Sequence, residues 1–444
     1  MQPDRSCDMA AALPALTEEL VEEILLRIPP DEPSLLIRAA LVCKDWRRIL
    51  SDGGFRRRYC RFHRSPPLLG YINNQYFRTA FVPTTSFSPT QLPAGIYSYL
   101  AALDCRHGRV LIRATKSCSP SAGLLIVWDP ITGDQQHLSL PAHPHLNNSN
   151  QLLCSFTGAV LCAVDGCDHL DCHGGPFLVV FVGTPPHPAD GAAGVVTHAR
   201  AAVYSSETGA WSDDRTSSSD DSYHYVKATK PLLLGDALYF TLVSSNGVIR
   251  ILKYDLGGHG LSVVDTPPQV CRKVVPTDVD GGLGLVEFTY KNFIYMWSRS
   301  SLQADDADGG IERWVRHNVG HLETLIPWPP HHRSVYRHHR YDSIHFAEGT
   351  DFIFLSFDNY IDTGVFTLDL KSRQLTRVAE RPGCGILPYM SFYTPDLAKG
   401  KLCHRDKDAM VHHSINHSGS AEGRPPSREF DSQFAQKKLS LVAR

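Results

Sequence analysis

The sequence is poor in the features that mark membrane proteins, nucleic-acid binders and enzymes. Across 444 residues no apolar run reaches the roughly eighteen residues needed to cross a bilayer as a helix, and the best candidates are short stretches such as Phe177 to Val182. Charge of one sign is also missing: 44 Lys and Arg stand against 46 Asp and Glu, so there is no field to gather nucleic acid or an anionic membrane, and neither is expected as a partner. Ahead of the Met9 to Leu16 apolar run there is no basic leader, and Glu18 and Glu19 follow it at once, which does not fit a secretory signal. The expected location is therefore cytoplasm or nucleus. There the twelve scattered cysteines are free thiols, and the sequons at Asn147 and Asn416 carry no sugar. No G-x-S-x-G elbow, H-E-x-x-H helix or phosphate loop occurs, and Gly281-Gly282-Leu283-Gly284 does not complete a dinucleotide fingerprint. Those glycines are better read as turn chemistry. No catalytic residue and no cofactor are expected.

What is present divides into two unlike parts. Near the N-terminus, Leu16, Leu20, Val21, Ile24, Leu25 and Ile28 recur at helical spacing, with Glu18, Glu19, Glu22, Glu23 and Arg27 on the other face, and Pro29 and Pro30 stop the helix. Thr17 is placed to cap the first free amides, with Glu18 and Glu19 where the helix dipole is positive. A second helix is expected from about Ser34 to Leu41. A third carries Val42, Cys43, Trp46, Ile49 and Leu50 before Gly53 and Gly54 end it. Some fifty residues in three helices bury too little to be robust alone, so their apolar stripes are expected to serve a partner as well.

The Leu13-Pro14 opening, the Leu20, Ile24, Leu25 and Ile28 stripe, and the Val42-Cys43-Lys44-Asp45-Trp46-Arg47 signature followed by Phe55 resemble an F-box. This is the helical module by which substrate receptors dock on the Skp-type adaptor of a cullin-RING ubiquitin ligase. The resemblance covers about a ninth of the chain, with the motifs in the right order. It departs from the common pattern where Ile28 is followed by Pro-Pro-Asp-Glu-Pro, a longer and more proline-rich link between the first two helices. It implies that Leu13, Pro14, Leu20, Ile24, Leu25, Ile28, Val42, Cys43 and Trp46 form or support the adaptor-facing surface.

From about Leu68 the helical period disappears. Short runs rich in Val, Ile, Leu, Phe and Tyr alternate with Gly, Pro, Asp, Asn and Ser clusters, which reads as an all-β domain of many short strands. Strands are expected at Arg109 to Arg113, Leu124 to Trp128, Phe177 to Val182, Ala237 to Leu242, Val248 to Tyr254, Leu285 to Tyr290, Phe293 to Trp297, Phe352 to Phe357 and Gly364 to Leu370. A weak repeat joins them. Val127-Trp128-Asp129-Pro130-Ile131-Thr132-Gly133 is echoed from Val203 to Trp211, from Lys253 to Gly258 and from Thr367 to Leu375, with a divergent fifth copy from Met296 to Trp314. In each a strand ends in Asp or Ser, whose side chain can bond the amides of the turn, and Gly or a small polar residue follows. Four-stranded repeats of this period describe a β-propeller, and about six blades fit the irregular spacing. The Trp-Asp-Pro-Ile-Thr-Gly turn also resembles the C-terminal domains of plant-type F-box proteins. A β-sandwich or two stacked β-domains remain open alternatives.

The fold class that results is α+β and multidomain. A three-helix F-box occupies about 10–62, an all-β propeller-like domain about 68–396, and a polar tail about 397–444, with a short helix near Phe430 to Leu439. Pro185 to Thr197 and Ser212 to Tyr223 are read as loops. So is the basic patch of His331, His332, His338 and His339 with Arg333, Tyr336, Arg337 and Arg340. One constellation has metal-binding chemistry: Cys162, Cys167, His169, Cys172 and His173, with Cys154 upstream. Its Cys-x4-Cys spacing is not that of a common zinc knuckle, and cysteines incidental to a long loop are the simpler reading, so no metal is expected. The function implied is a non-enzymatic substrate receptor, bound through a Skp-type adaptor to cullin and RING subunits. The β-domain would hold a target protein that the sequence does not identify. The rival readings are a propeller scaffold uncoupled from a ligase and a propeller that binds a small molecule.

Overall fold

The computed structural model describes residues 17–395 except 76–77, 91, 93–95, 117–118, 142–154, 185–197, 213–214, 217–223, 245–246, 269, 271–273, 290–292, 301–312, 322–323, 325–342, 359–362 and 381–384. Leu13, Pro14, the His331 to Arg340 patch and the tail after 395 lie outside the described residues.

Four short helices come first, one more than the sequence indicates: α1 (Glu18–Leu26), α2 (Pro33–Val42), α3 (Lys44–Leu50) and α4 (Gly53–His63). Pro33 opens α2 at a position where its missing amide hydrogen costs nothing. Cys43 is the N-cap of α3, its sulfur accepting from the Trp46 amide at 3.5 Å. Thr17 takes the cap position of α1 with an extended backbone, but its hydroxyl makes no cap hydrogen bond.

The extra helix follows from Asp52. Its carboxylate accepts from the Phe55 amide at 2.9 Å, so Gly53 and Gly54 begin a helix where the sequence reading had them end one. Gly54 allows this, since a Cβ there would stand 2.5 Å from the capping carboxylate and displace it. Leu25, Leu36, Leu50, Phe55 and Tyr59 are packed at the centre of the module, which also takes in Phe392 and Leu170 from the β-domain.

The β-domain is a propeller of six blades. Blade 1 joins β1 (Leu68–Gln75) and β2 (Arg78–Pro83) to the last strand, β25 (Ile386–Met390), in the order β2-β1-β25. Blade 2 is β3 (Tyr97–Arg106), β4 (Arg109–Lys116), β5 (Ser119–Trp128) and β6 (Gln135–Ser139). Blade 3 holds β7 (Ser155–Cys162), β8 (Phe177–Thr184), β9 (Arg200–Ser205) and β10 (Ala210–Trp211), and β11 (Arg215–Thr216) returns to pair with β9 inside the stretch read as a loop. Blade 4 holds β12 (His224–Val226), β14 (Ala237–Ser244), β15 (Ile249–Asp255) and β16 (Leu261–Asp265), with β13 (Leu232–Leu234) paired beside β14. Blade 5 is β17 (Val274–Val279), β18 (Gly282–Phe288), β19 (Phe293–Ser300) and β20 (Arg313–His321). Blade 6 is β21 (Ser343–Phe346), β22 (Phe352–Asp358), β23 (Thr363–Asp369) and β24 (Leu375–Ala379).

Every repeat noted in the sequence falls at one place, the turn from the third to the fourth strand of a blade. Asp129 accepts from the amides of Ile131 and Thr132, and Asp369 does the same for Lys371 and Ser372. Asp255 accepts from Gly258, while Ser205 does so more weakly from Glu207 at 3.3 Å. In the divergent copy Trp297 sits opposite Arg316 across β19 and β20. Gly281, read from the sequence as turn chemistry, is a turn residue at φ +79° whose amide donates to Asp278. Blades pack through alternate apolar side chains. Val110, Ile112 and Ile126 of blade 2 meet Leu387 and Tyr389 of blade 1, and Val286 and Ile294 of blade 5 meet Ile353 and Leu355 of blade 6.

Candidate functional site

Exposed large apolar residues gather in the helical module. Leu20, Ile24, Leu35, Ile37, Leu41, Val42 and Phe62 are exposed there, against Ile96, Val164, Val248, Val315 and Phe352 in the several-fold longer remainder of the described residues. Leu41 and Val42, at the end of α2, are 68% and 64% exposed, and Leu20 and Ile24 on α1 are 53% and 46% exposed. An apolar set this dense on two short helices is a surface built to be covered.

The residues drawn from the sequence divide into two roles. Leu20, Ile24, Val42 and Cys43 face outward. Leu25 is fully buried, and Ile28 and Trp46 are half-buried against the same core, so these three support the surface and do not form it. Ile37 and Leu41 were missed. The second-helix run contained them, but no motif residue marked which way they point.

A second feature lies at the propeller axis, where five inner strands (β3, β7, β12, β21 and β25) end. Residues just past or at those ends line a cavity of about 450 Å³, among them Arg106, His107, Lys230, Glu348 and Phe392. Arg106, one of the lining residues, is buried and binds both Asp104 and Glu348, while also donating to the Pro231 carbonyl. Its Nε meets Glu348 Oε2 at 2.7 Å. Asp104 accepts from the amides of Cys105 and Val160, and Glu348 from that of Leu233. One cation thus joins blades 2, 3, 4 and 6. Burial would raise the Glu348 carboxyl, but Arg106 and Lys230 outweigh it and hold it at about 2. Burial raises the Asp104 carboxyl, with Arg106 opposing.

The helical module meets this end of the propeller. Arg56 of α4 pairs with Asp171 at 2.9 Å, and Tyr59 stands edge-on to Phe392 with ring centres 6.2 Å apart. Asp171 belongs to the loop between β7 and β8, where the Sγ atoms of Cys162, Cys167 and Cys172 and a ring nitrogen of His169 all lie within 4.8 Å of one another. The sequence reading set these aside as incidental, yet the fold brings them together. His107 stacks on His169 at 4.1 Å, and its Nδ1 accepts from the Cys162 amide. Burial, then His169 and Arg106, lower its pKa to about 3.

Short helices with an uncovered apolar face, fastened to the axial end of a six-bladed ring, define an F-box protein with a propeller, and residues 13–58 match the F-box domain. Residues 101–397, more than half of the chain, match the family described as "F-box protein AT5G49610-like, beta-propeller". The chain belongs to that plant F-box protein family. No curated protein sequence matches it. Solved structures with a similar outline include three of low identity. The WD40 domain of SCAP from fission yeast is 14% identical, covers 66% of this chain and 58% of its own length, and has a TM-score of 0.33. This chain therefore spans less than two thirds of that relative. The six-bladed fucose lectin of the fungus Aleuria aurantia is 11% identical over 64% of this chain and 78% of its own (TM-score 0.34). TolB from Acinetobacter baumannii is 12% identical over 74% and 68% (TM-score 0.38). Among the described residues no helix is long and apolar enough to cross a membrane.

Proposed function

We propose that the chain is the substrate-recognition subunit of an SCF-type cullin-RING ubiquitin ligase. The observation that carries this reading is the exposed apolar surface of α1 and α2 within an F-box match. Leu20, Ile24, Ile37, Leu41 and Val42 fill grooves on a Skp-type adaptor, Leu25, Ile28 and Trp46 hold them in place from below, and Leu13 and Pro14 extend the contact. Cullin and RING subunits follow through the adaptor. The propeller holds the target, and ubiquitin reaches it by proximity and not through any nucleophile in this chain. Such a subunit works in the cytoplasm or nucleus.

A small-molecule-binding propeller is the weaker reading. In the axial cavity Arg106, Lys230 and Glu348 are occupied with one another, which leaves little charge to receive a ligand. The test is co-expression of the full chain with a Skp-type adaptor, followed by size-exclusion chromatography. A one-to-one complex lost on Leu20→Glu supports the receptor reading. Well-folded protein that forms no complex ends it.

A further inference from the structure

We propose that Cys162, Cys167, His169 and Cys172 form a Cys3His site for one zinc ion, and that this ion fixes the joint between the helical module and the propeller. Thiolate sulfur and imidazole nitrogen are the donors zinc prefers, and closed four-ligand sets of this kind are structural. The four donor atoms lie within 4.8 Å of one another. Cys167 Sγ and Cys172 Sγ are 3.3 Å apart, and Cys172 Sγ is 3.5 Å from His169 Nδ1. Zinc bonds of about 2.3 Å to sulfur and about 2.0 Å to nitrogen, at tetrahedral angles, place donors roughly 3.5–3.8 Å apart. The cluster therefore needs only small adjustments.

The local chain is arranged around these atoms. Cys162 closes β7, and the segment that follows turns at Gly166 (φ +64°) and at His169 (φ +56°), a non-glycine residue in the left-handed region. That turn brings the imidazole back toward the three sulfurs. The amide two residues after Cys162 donates to its sulfur at 3.4 Å, and the amide two residues after Cys167 does the same at 3.4 Å. Amide donors aimed at sulfur favour thiolates and serve as the outer support of a metal site. His107 backs the ligand ring by stacking on it. Binding displaces the thiol protons to solvent and leaves the site with a single negative charge. Arg109 lies beside it, donating to the carbonyls of Cys172 and Gly175.

The residues between and after the ligands give the ion its task. Leu170 packs into the core of the helical module and Asp171 pairs with Arg56 of α4. His173 bridges Asp129 of blade 2 and Ser391 beyond β25 at 2.8 and 2.9 Å. A loop of this length without regular structure is otherwise a soft element. Cross-linking it at four points would make it a rigid bracket between α4 and two blades.

The test is to purify the full chain without a histidine tag or chelator, under reducing conditions, and measure zinc by plasma mass spectrometry. About one zinc per chain is expected, falling at least tenfold in Cys162→Ser and in Cys167→Ser but not in Cys105→Ala. Cobalt added to metal-stripped protein should give the sulfur-to-metal and visible bands of a tetrahedral thiolate site. If the Ser variants fold poorly, the cobalt spectrum of the wild-type chain decides the matter alone. Hydrogen exchange across residues 53–63 should quicken when zinc is removed while the blade strands stay protected. Metal-free protein without cobalt bands overturns the site. Bound zinc whose removal leaves exchange in α4 unchanged overturns its role at the joint. None of these measurements uses the adaptor, so their outcome is separate from that of the ligase reading.

Discussion

In the helical module Leu41 and Val42 stand more than three-fifths exposed, whereas Val110, Leu125 and Leu252 in the propeller strands are fully buried. The difference is one of closure. Fewer than fifty described residues in four helices cannot surround their own apolar atoms, and the surplus stays exposed. The propeller closes on itself and pairs even its buried charges, Arg106 with Asp104, with the half-buried Glu348 joining them. A docking element thus stays sticky because it is too small, and the ring that carries it is self-sufficient.

That contrast can be broken most strongly at the axis. Arg106→Met would strand Asp104 as a buried carboxylate without its partner and leave Glu348 only Lys230, at a cost of about 3–5 kcal/mol in denaturant unfolding. Adaptor binding by the remaining folded protein should be unchanged. The converse experiment is Leu20→Glu. It should weaken adaptor binding by about 2–4 kcal/mol, read as Kd by calorimetry, with no change in the unfolding of the propeller. A drop in propeller stability would show that the two regions are less independent than their surfaces indicate.

A pH experiment sharpens the same comparison. His345, in β21, accepts from the Ile386 amide of β25 at 3.1 Å, and burial with Lys227 and Lys230 nearby lowers its pKa to about 3. The native ring keeps this imidazole neutral, so below about pH 6.5 the unfolded chain gains a proton that the native one refuses. His345 alone should lower stability by about 1.4 kcal/mol per pH unit from there toward pH 3, or about 2 kcal/mol by pH 5. Comparing urea unfolding of wild type and His345→Gln at pH 7 and pH 5 isolates the contribution, since the variant should lose that part of the slope. The smallest effect is expected at the blade turns. Asp369→Ala should lower Tm less than Asp129→Ala, because Asp369 is only half-buried while Asp129 is buried and also bound to His173.

What the sequence made legible is what neighbouring residues decide. The Asp129, Asp255 and Asp369 turns could be read because the side chain and the amides it bonds are within three residues, and the blade strands because short apolar runs lie between turn residues. Pairings across distance could not be read. Arg106 and Glu348 are 242 residues apart, and nothing local to either signals the other. The α4 helix was missed because two glycines look like a stop unless Asp52 is recognised as the cap. The cysteine cluster was undervalued because its spacing fits no familiar knuckle, and convergence depends on the left-handed backbone at His169.

Blade 1 is assembled from the two ends of the propeller sequence, with Ile72 opposite Leu387 and Tyr71 opposite Pro388. On the ribosome β1 emerges before the other blades and must wait with an open edge until β25 is made. Every message cut short before residue 386 therefore yields a ring with a gap and a β1 that is paired with β2 on one edge and open on the other. Incomplete copies of the chain would then be conspicuous to the cell's quality control.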